Sequence, residues 1–307
     1  MPPADHDAPS GRPERDGVSP AAAAVVTMFM WAVTTIVVRY VRDDMPPLGL
    51  SFWRTLTAFL ILLPFAIRPL RRQWDILRPS LGLLAMLALL LWVGGNALLF
   101  LSLQYTIAIN AAVINSIEPV IIILLAALLF GDRLSWRQGI GVALSLAGVL
   151  ALISGGSLDR LTRLDFNKGD LIVIGAYFAW GLYAVLLRKV PRALDHRLML
   201  VVLLGFGSLF LLPLHVGEVM LWSRSLTLNT ATVLTVIGLA VFPCAVAMLL
   251  WNHAISRLGA IRAGQFLHLI PAFTVVLAIV LLDEALMTFH IAGIVLIAIG
   301  LYIAARK

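Results

Sequence analysis

SIEPVIIILLAALLFGDRLSWRQGIGVALSLAGVLAL, residues 116–152, and LIPAFTVVLAIVLLDEALMTFHIAGIVLIAIGLYIA, residues 269–304, carry one punctuation: a proline, an apolar run, an acidic residue, then a second apolar run with spaced glycines. Pro119, Leu134, Gly141 and Gly148 stand opposite Pro271, Leu286, Gly293 and Gly300, all displaced by 152 positions. Further upstream, Trp31, Arg39 and Pro64 stand opposite Trp180, Arg188 and Pro213, displaced by 149. Two constant displacements point to a chain built twice from one unit.

The medium of those runs follows from composition. Of 307 residues 61% are hydrophobic and 13% charged, with a mean hydropathy of +0.98, which excludes a water-soluble globule. Apolar stretches of about 20 residues, enough to cross a hydrocarbon core of about 30 Å, recur along the chain. Ten spans are predicted, near 20–40, 48–67, 81–103, 107–130, 136–153, 170–188, 197–214, 231–253, 261–282 and 287–305. They lack the period-two alternation of barrel strands, so the fold class is an all-α integral membrane protein.

Five spans per unit is an odd number, so the second unit enters the membrane from the opposite side and the two repeats are inverted. The predicted organisation is a disordered cytoplasmic tail over residues 1–19, a first five-helix repeat over 20–153, a linker over 154–169 and a second repeat over 170–307. Charge sets the orientation, because lysine and arginine concentrate in short cytoplasmic loops. With the N terminus inside, 16 of the 23 basic residues fall on the cytoplasmic side and 6 outside, with Arg54 within a span. The formal charge of +7 is thereby explained by topology, not by nucleic-acid binding. The expected location is the inner cell membrane, multi-pass, with both termini cytoplasmic. The apolar stretch after residue 19 is longer than a signal-peptide core and lacks a clear cleavage site, which favours a retained helix. A single cysteine, Cys244, excludes an intrachain disulfide and is read as packing; no metal or cofactor is called for.

These residues carry a family resemblance. MWAVTTIVVRYVRDDMPPLGLSFWR, residues 30–54, together with the two stretches quoted first, resembles the EamA-type unit of the drug/metabolite transporter superfamily, once in each half. Asp132 stands where the family often has glutamate, and Leu203 stands opposite Arg54. The resemblance implies a ten-helix secondary transporter, commonly an exporter of amino acids or related metabolites. Its central cavity would be lined mainly by spans one, three, four, six, eight and nine. The residues reach a similar place independently: inverted repeats offer two near-equivalent packings around a midplane site, and no G-x-x-x-x-G-K-[ST] motif supplies ATP hydrolysis. Transport is then driven by an ion gradient, protons among them, or by exchange. The partners expected are a small-molecule substrate and membrane lipid.

Helical spacing selects the candidate site. Span three places Trp92, Asn96 and Phe100 on one face, and span four places Asn115 and Glu118 together. Trp31 comes from span one, Tyr177 and Trp180 from span six, Asn252 from span eight, and Gln265 and His268 from span nine. An aromatic-lined pocket with a few amides suits a small zwitterion or an aromatic metabolite. Plainer roles stand beside these. The asparagines tie helices together through hydrogen bonds of about 0.6–2 kcal/mol. Trp53, Trp136, Tyr40 and Tyr302 read as interfacial anchors, Gly141, Ser145 and Gly148 as close-packing positions, and Arg54 as a cation reaching outward to the headgroups.

Glu118 lies near the middle of the 107–130 run, where an ionised acid costs at least about 2.5–3.5 kcal/mol. It therefore needs a partner, water or a proton. Two readings stand: exchange of a proton or contact with a substrate amine, and support for the helix break at Pro119, whose missing N–H frees the carbonyl of Asn115. A channel would need a continuous polar lining that these spans lack. An intramembrane enzyme would need a nucleophile with its base or a metal cluster, whereas His215, His253, His268 and His290 are scattered without H-E-x-x-H spacing.

Overall fold

The computed structural model describes residues 19–131, 136–157, 159, 167–222, 226–258 and 265–305. Every regular element among them is a helix. The first part of the chain forms α1 (Pro20–Tyr40), α2 (Pro47–Arg72), α3 (Trp74–Ser102), a broken pair α4 (Ala108–Asn115) and α5 (Glu118–Phe130), and α6 (Trp136–Ile153). The second part forms α7 (Lys168–Leu186), α8 (His196–Trp222), a composite α9 (Thr230–Leu239, Ala240–Val246 and Ala247–Leu258), α10 (Leu269–Leu282) and α11 (Thr288–Ala305).

Among the described residues six helices are long and apolar enough to cross a membrane: α1, α2, α3, α7 extended to Lys189, α8, and Thr230–Trp251 of α9. The bent pair Ala108–Asn115 and Val120–Phe130 makes a seventh if counted as one span, and Leu269–Leu282 and Thr288–Gly300 are shorter apolar helices. Large apolar side chains cover the outside, among them Phe65, Leu128, Met220, Leu221 and Val280, each more than two-thirds exposed. Water does not tolerate such a belt, and hydrocarbon requires it.

Local chemistry starts and stops these helices. Pro20 opens α1 at a position where the missing N–H costs nothing. Asn167 and Asn229 cap α7 and α9 by accepting the N–H groups of Gly169 and Thr232 at 2.7 and 2.8 Å. α5 and α10 end at equivalent left-handed residues, Gly131 (φ 70°) and Asp283 (φ 53°), 152 positions apart. Glycine adopts this conformation freely, and aspartate is one of the few side chains that tolerate it.

Two helix pairs flank a central group. α6 packs along α11 and α2 along α8, while α7 lies against α3, α4 and α5, and α1 against α9 and α10. The glycine reading holds in the first pair: a Cβ on Gly148 would lie 2.9 Å from the Gly293 carbonyl, and one on Gly300 would lie 2.5 Å from that of Gly141. Backbone meets backbone there. The four predicted aromatic anchors all face outward, from Trp53 at 42% exposed to Tyr40 at 74%.

Several helices differ in extent from the predicted spans, and three of the differences bear on the site. The predicted span over 197–214 continues to Trp222, so Glu218 is not in a loop but inside α8, 2% exposed. It stays there because its carboxylate accepts the N–H groups of Leu48 and Gly49, at 3.2 and 2.6 Å, capping the start of α2. α2 itself runs through Pro64 and Pro69 to Arg72. The predicted span 107–130 is two helices, bent by 44°.

Candidate functional site

The bend lies at Ser116 and Ile117, where the N–H groups of both turn back three residues, to the carbonyls of Val113 and Ile114. α5 then restarts with Glu118 and Pro119 in its first turn. In that position the proline needs no donor, and the carboxylate sits at the positive end of a new helix dipole. The arrangement expected from the sequence, a proline interrupting a continuous helix, is thus replaced by a proline that begins one.

Two further helices depart from α geometry. Leu89–Ala97 of α3 and Ala240–Val246 of α9 are π segments, widened turns that cluster at functional sites in proteins generally. The first holds Trp92 and Asn96, and the second holds Pro243 and Cys244. α2 crosses both. From it Arg54 enters between them, 2% exposed, donating from Nη2 to Asn96 Oδ1 at 2.6 Å. Its guanidinium carbon lies 4.5 Å from the centre of the Phe100 ring and 5.9 Å from that of Trp92. This corrects the expectation that Arg54 reaches outward to headgroups. With Asn96, Phe100 and Trp92 arranged to receive it, an inward cation is better partnered than an outward one.

The aromatic and amide residues chosen by helical spacing do gather, from both parts of the chain. Trp31 of α1 donates from Nε1 to the Pro243 carbonyl at 3.2 Å, and its ring lies 5.7 Å from that of Trp251. Tyr177 of α7 is buried, donates to the Ala111 carbonyl at 3.2 Å, and has Asn115 and Glu118 as electrostatic neighbours. Its ring lies 5.2 Å from that of Trp180. Trp180 in turn lies on the first π segment, so close to Gly95 that a Cβ there would overlap its indole. Phe100 is fully buried and Trp92 is 3% exposed, while Asn96, Asn115, Glu118, Trp31 and Trp180 are half-buried. The side chains of Asn252, Gln265 and His268 lie outside the described ones.

At one end of the bundle lies a polar network that spacing did not reveal. Glu284 accepts from the N–H groups of Ala108 and Ile109 at 2.9 and 3.0 Å, capping α4, and pairs with Arg39 Nε at 3.7 Å. Arg39 also donates to the Leu103 carbonyl at 2.8 Å. Beside it, Asp170 accepts from Thr106 and from Asn110, whose Oδ1 faces His290 Nε2 at 2.8 Å. His290 Nδ1 accepts the Met287 N–H, which leaves the ring proton on Nε2 for Asn110. Residues from before 154 and after 167 are thereby joined at this end. The signal present in the sequence was an acid or amide, Asn110, Asp170 or Glu284, at the margin of an apolar run; its partner was not visible.

The sequence matches the EamA-like transporter family twice, over residues 19–154 and 167–306. It is 27% identical over 288 residues to an uncharacterized transporter of Archaeoglobus fulgidus, covering 92% of this chain and 96% of that one. A probable amino-acid metabolite efflux pump of Escherichia coli is 25% identical, with 94% of each chain covered. A probable terminal-alkyne amino-acid exporter of Streptantibioticus cattleyicolor is 27% identical, with 93% of each covered. A solved crystal structure shares the fold with a TM-score of 0.60 at 19% identity, over 93% of this chain and 96% of that one. With two matches that together span most of its length, the chain belongs to the EamA-like transporter family.

Proposed function

We propose that the protein is a secondary-active exporter of amino acids or related small metabolites, working by alternating access across the inner membrane. Its ten crossings form two inverted five-helix repeats, with both termini in the cytoplasm. The observation that carries this reading is the shared construction of the site. Tyr177 binds the Ala111 carbonyl, Trp31 binds the Pro243 carbonyl and Trp180 covers Gly95, so each contact joins the first repeat to the second. A site divided in this way changes access when one repeat rocks against the other.

The 16 to 6 division of basic residues supports the orientation. The network around Glu284 and Asp170 then lies at the outer end and closes it, which leaves the cytoplasmic end as the entry for cargo. Relatives named as an amino-acid metabolite efflux pump and an amino-acid exporter support the substrate class. Glu118, half-buried beside Tyr177, is the group available to exchange a proton or meet a substrate amine.

Purified protein in liposomes, preloaded with each of a panel of L-amino acids, tests the reading by counterflow of the labelled compound. Protein-dependent exchange of at least one of them is expected, and Trp180→Ala should reduce it about tenfold while leaving the protein folded, in the range for one lost aromatic contact to a ligand. Exchange no faster than in empty liposomes across the whole panel would sink the amino-acid reading.

A further inference from the structure

Arg54 is a cation in the interior of a membrane protein, and among the described residues no carboxylate stands within ion-pair distance of it. Among the described residues its one hydrogen-bond partner is the Asn96 amide oxygen, and its Nε–H has none. Two other buried donors nearby share that condition. Among the described residues Trp92 Nε1–H, on the ring beside the guanidinium, has no partner, nor has the hydroxyl of Ser51, one turn before Arg54 on the same face of α2.

Buried donors without acceptors are expensive, and a buried cation without a counter-ion more so. Arginine does not escape by losing its proton. A helix-tying role would be filled by a neutral side chain at lower cost. The surplus here is specifically of donors and of positive charge, which a carboxylate would satisfy through its two oxygens.

We propose that Arg54, with Trp92 Nε1 and the Ser51 hydroxyl, forms the site that receives the carboxylate of the transported compound. The inference rests on the amino-acid reading above and adds which end of the substrate is recognised, and by what. Asn96 is the positioning residue. Through Oδ1 it fixes the guanidinium, and through its Nδ2 donation to the Leu91 carbonyl at 2.8 Å it is itself fixed to the π segment. The donors are closed off in this conformation, at 2% exposure for Arg54 and 3% for Trp92. Access therefore requires movement of the π segments of α3 and α9 against α2, the segments whose backbone bonding is least regular. Cargo that supplies the missing charge favours the rearranged state over the closed one.

The test measures affinity in detergent by thermal stabilisation, using L-leucine, L-phenylalanine and L-threonine, each beside its α-amide, which lacks the anionic carboxylate. The wild-type protein should bind the acids about 10- to 100-fold more tightly than the amides, the range for charge-assisted bonds. In Arg54→Gln the acid affinity should fall to that of the amide while the amide affinity stays. In Trp92→Phe, which keeps the ring in place, the same split should narrow about threefold. Acid and amide affinities that fall together in both variants would make Arg54 and Trp92 packing groups and overturn the proposal. So would a split that survives Arg54→Gln or, where that variant does not fold, Trp92→Phe. Acids bound without preference by the wild-type protein would overturn this inference alone, whereas neither acids nor amides bound would remove the amino-acid reading as well.

Discussion

The π segments of α3 and α9 occupy corresponding places in the two parts of the chain but are made from different residues. Leu89–Ala97 contains two glycines and an asparagine, and Ala240–Val246 contains a proline. In both, a carbonyl of the segment is met by a side-chain donor: the Leu91 carbonyl by Asn96 Nδ2, and the Pro243 carbonyl by Trp31 Nε1. The first donor is local and the second comes from another helix. A proline can widen a turn by itself, because it withholds an N–H and crowds the preceding turn, and α9 has one in its segment. The α3 segment holds no proline. What the two share is the neighbour α2 and the crowding at the centre of the bundle, so the widening belongs to the packing of the helices and each sequence accommodates it in its own way.

Three substitutions separate packing from local sequence as the cause of the widened turns. The largest effect is expected at Gly95, where any side chain meets Trp180. Gly95→Val should cost about 1–3 kcal/mol by overpacking, read as a melting temperature lower by several degrees in detergent. Adding Trp180→Ala should recover much of that loss, since the clash is between those two residues, and simple additivity of the two changes would deny the contact. A middle-sized effect is expected at Trp31. Trp31→Phe keeps the ring and removes the donor to the Pro243 carbonyl, for a loss of about 1 kcal/mol in the same melt. An unchanged melting point would mean that the α9 segment needs no outside donor and that the likeness to α3 is one of shape only. The smallest effect is expected at Pro243 itself. Pro243 is buried, so if packing sets the π geometry, Pro243→Ala should cost less than about 1 kcal/mol, through the ring contact it loses. Stabilisation by about 2 kcal/mol or more would show that the proline forces the turn and would dissolve the comparison.

The sequence by itself determined the material and the punctuation. Composition and run length fixed helices in hydrocarbon, because unpaired backbone cannot stay there. Paired prolines and glycines marked the repeat, and the α6–α11 glycines were legible as close packing because few other roles suit a glycine inside an apolar helix. Helical spacing placed Trp92, Asn96 and Phe100 on one face, and all three meet Arg54. Their partner was misread. Whether a lone arginine within a span turns inward or outward depends on what a different helix offers it, and its own helix carries no sign of that. The same holds for Glu218 and Glu284, whose partners are N–H groups about 170 positions away or more. The helix break at Ser116 was decided in the same way, because a proline can interrupt a helix or begin one. Hydropathy and periodicity are properties of neighbours along the chain, and so they were readable. Satisfaction of a buried charge is a property of neighbours in space, and only the packed bundle decided it.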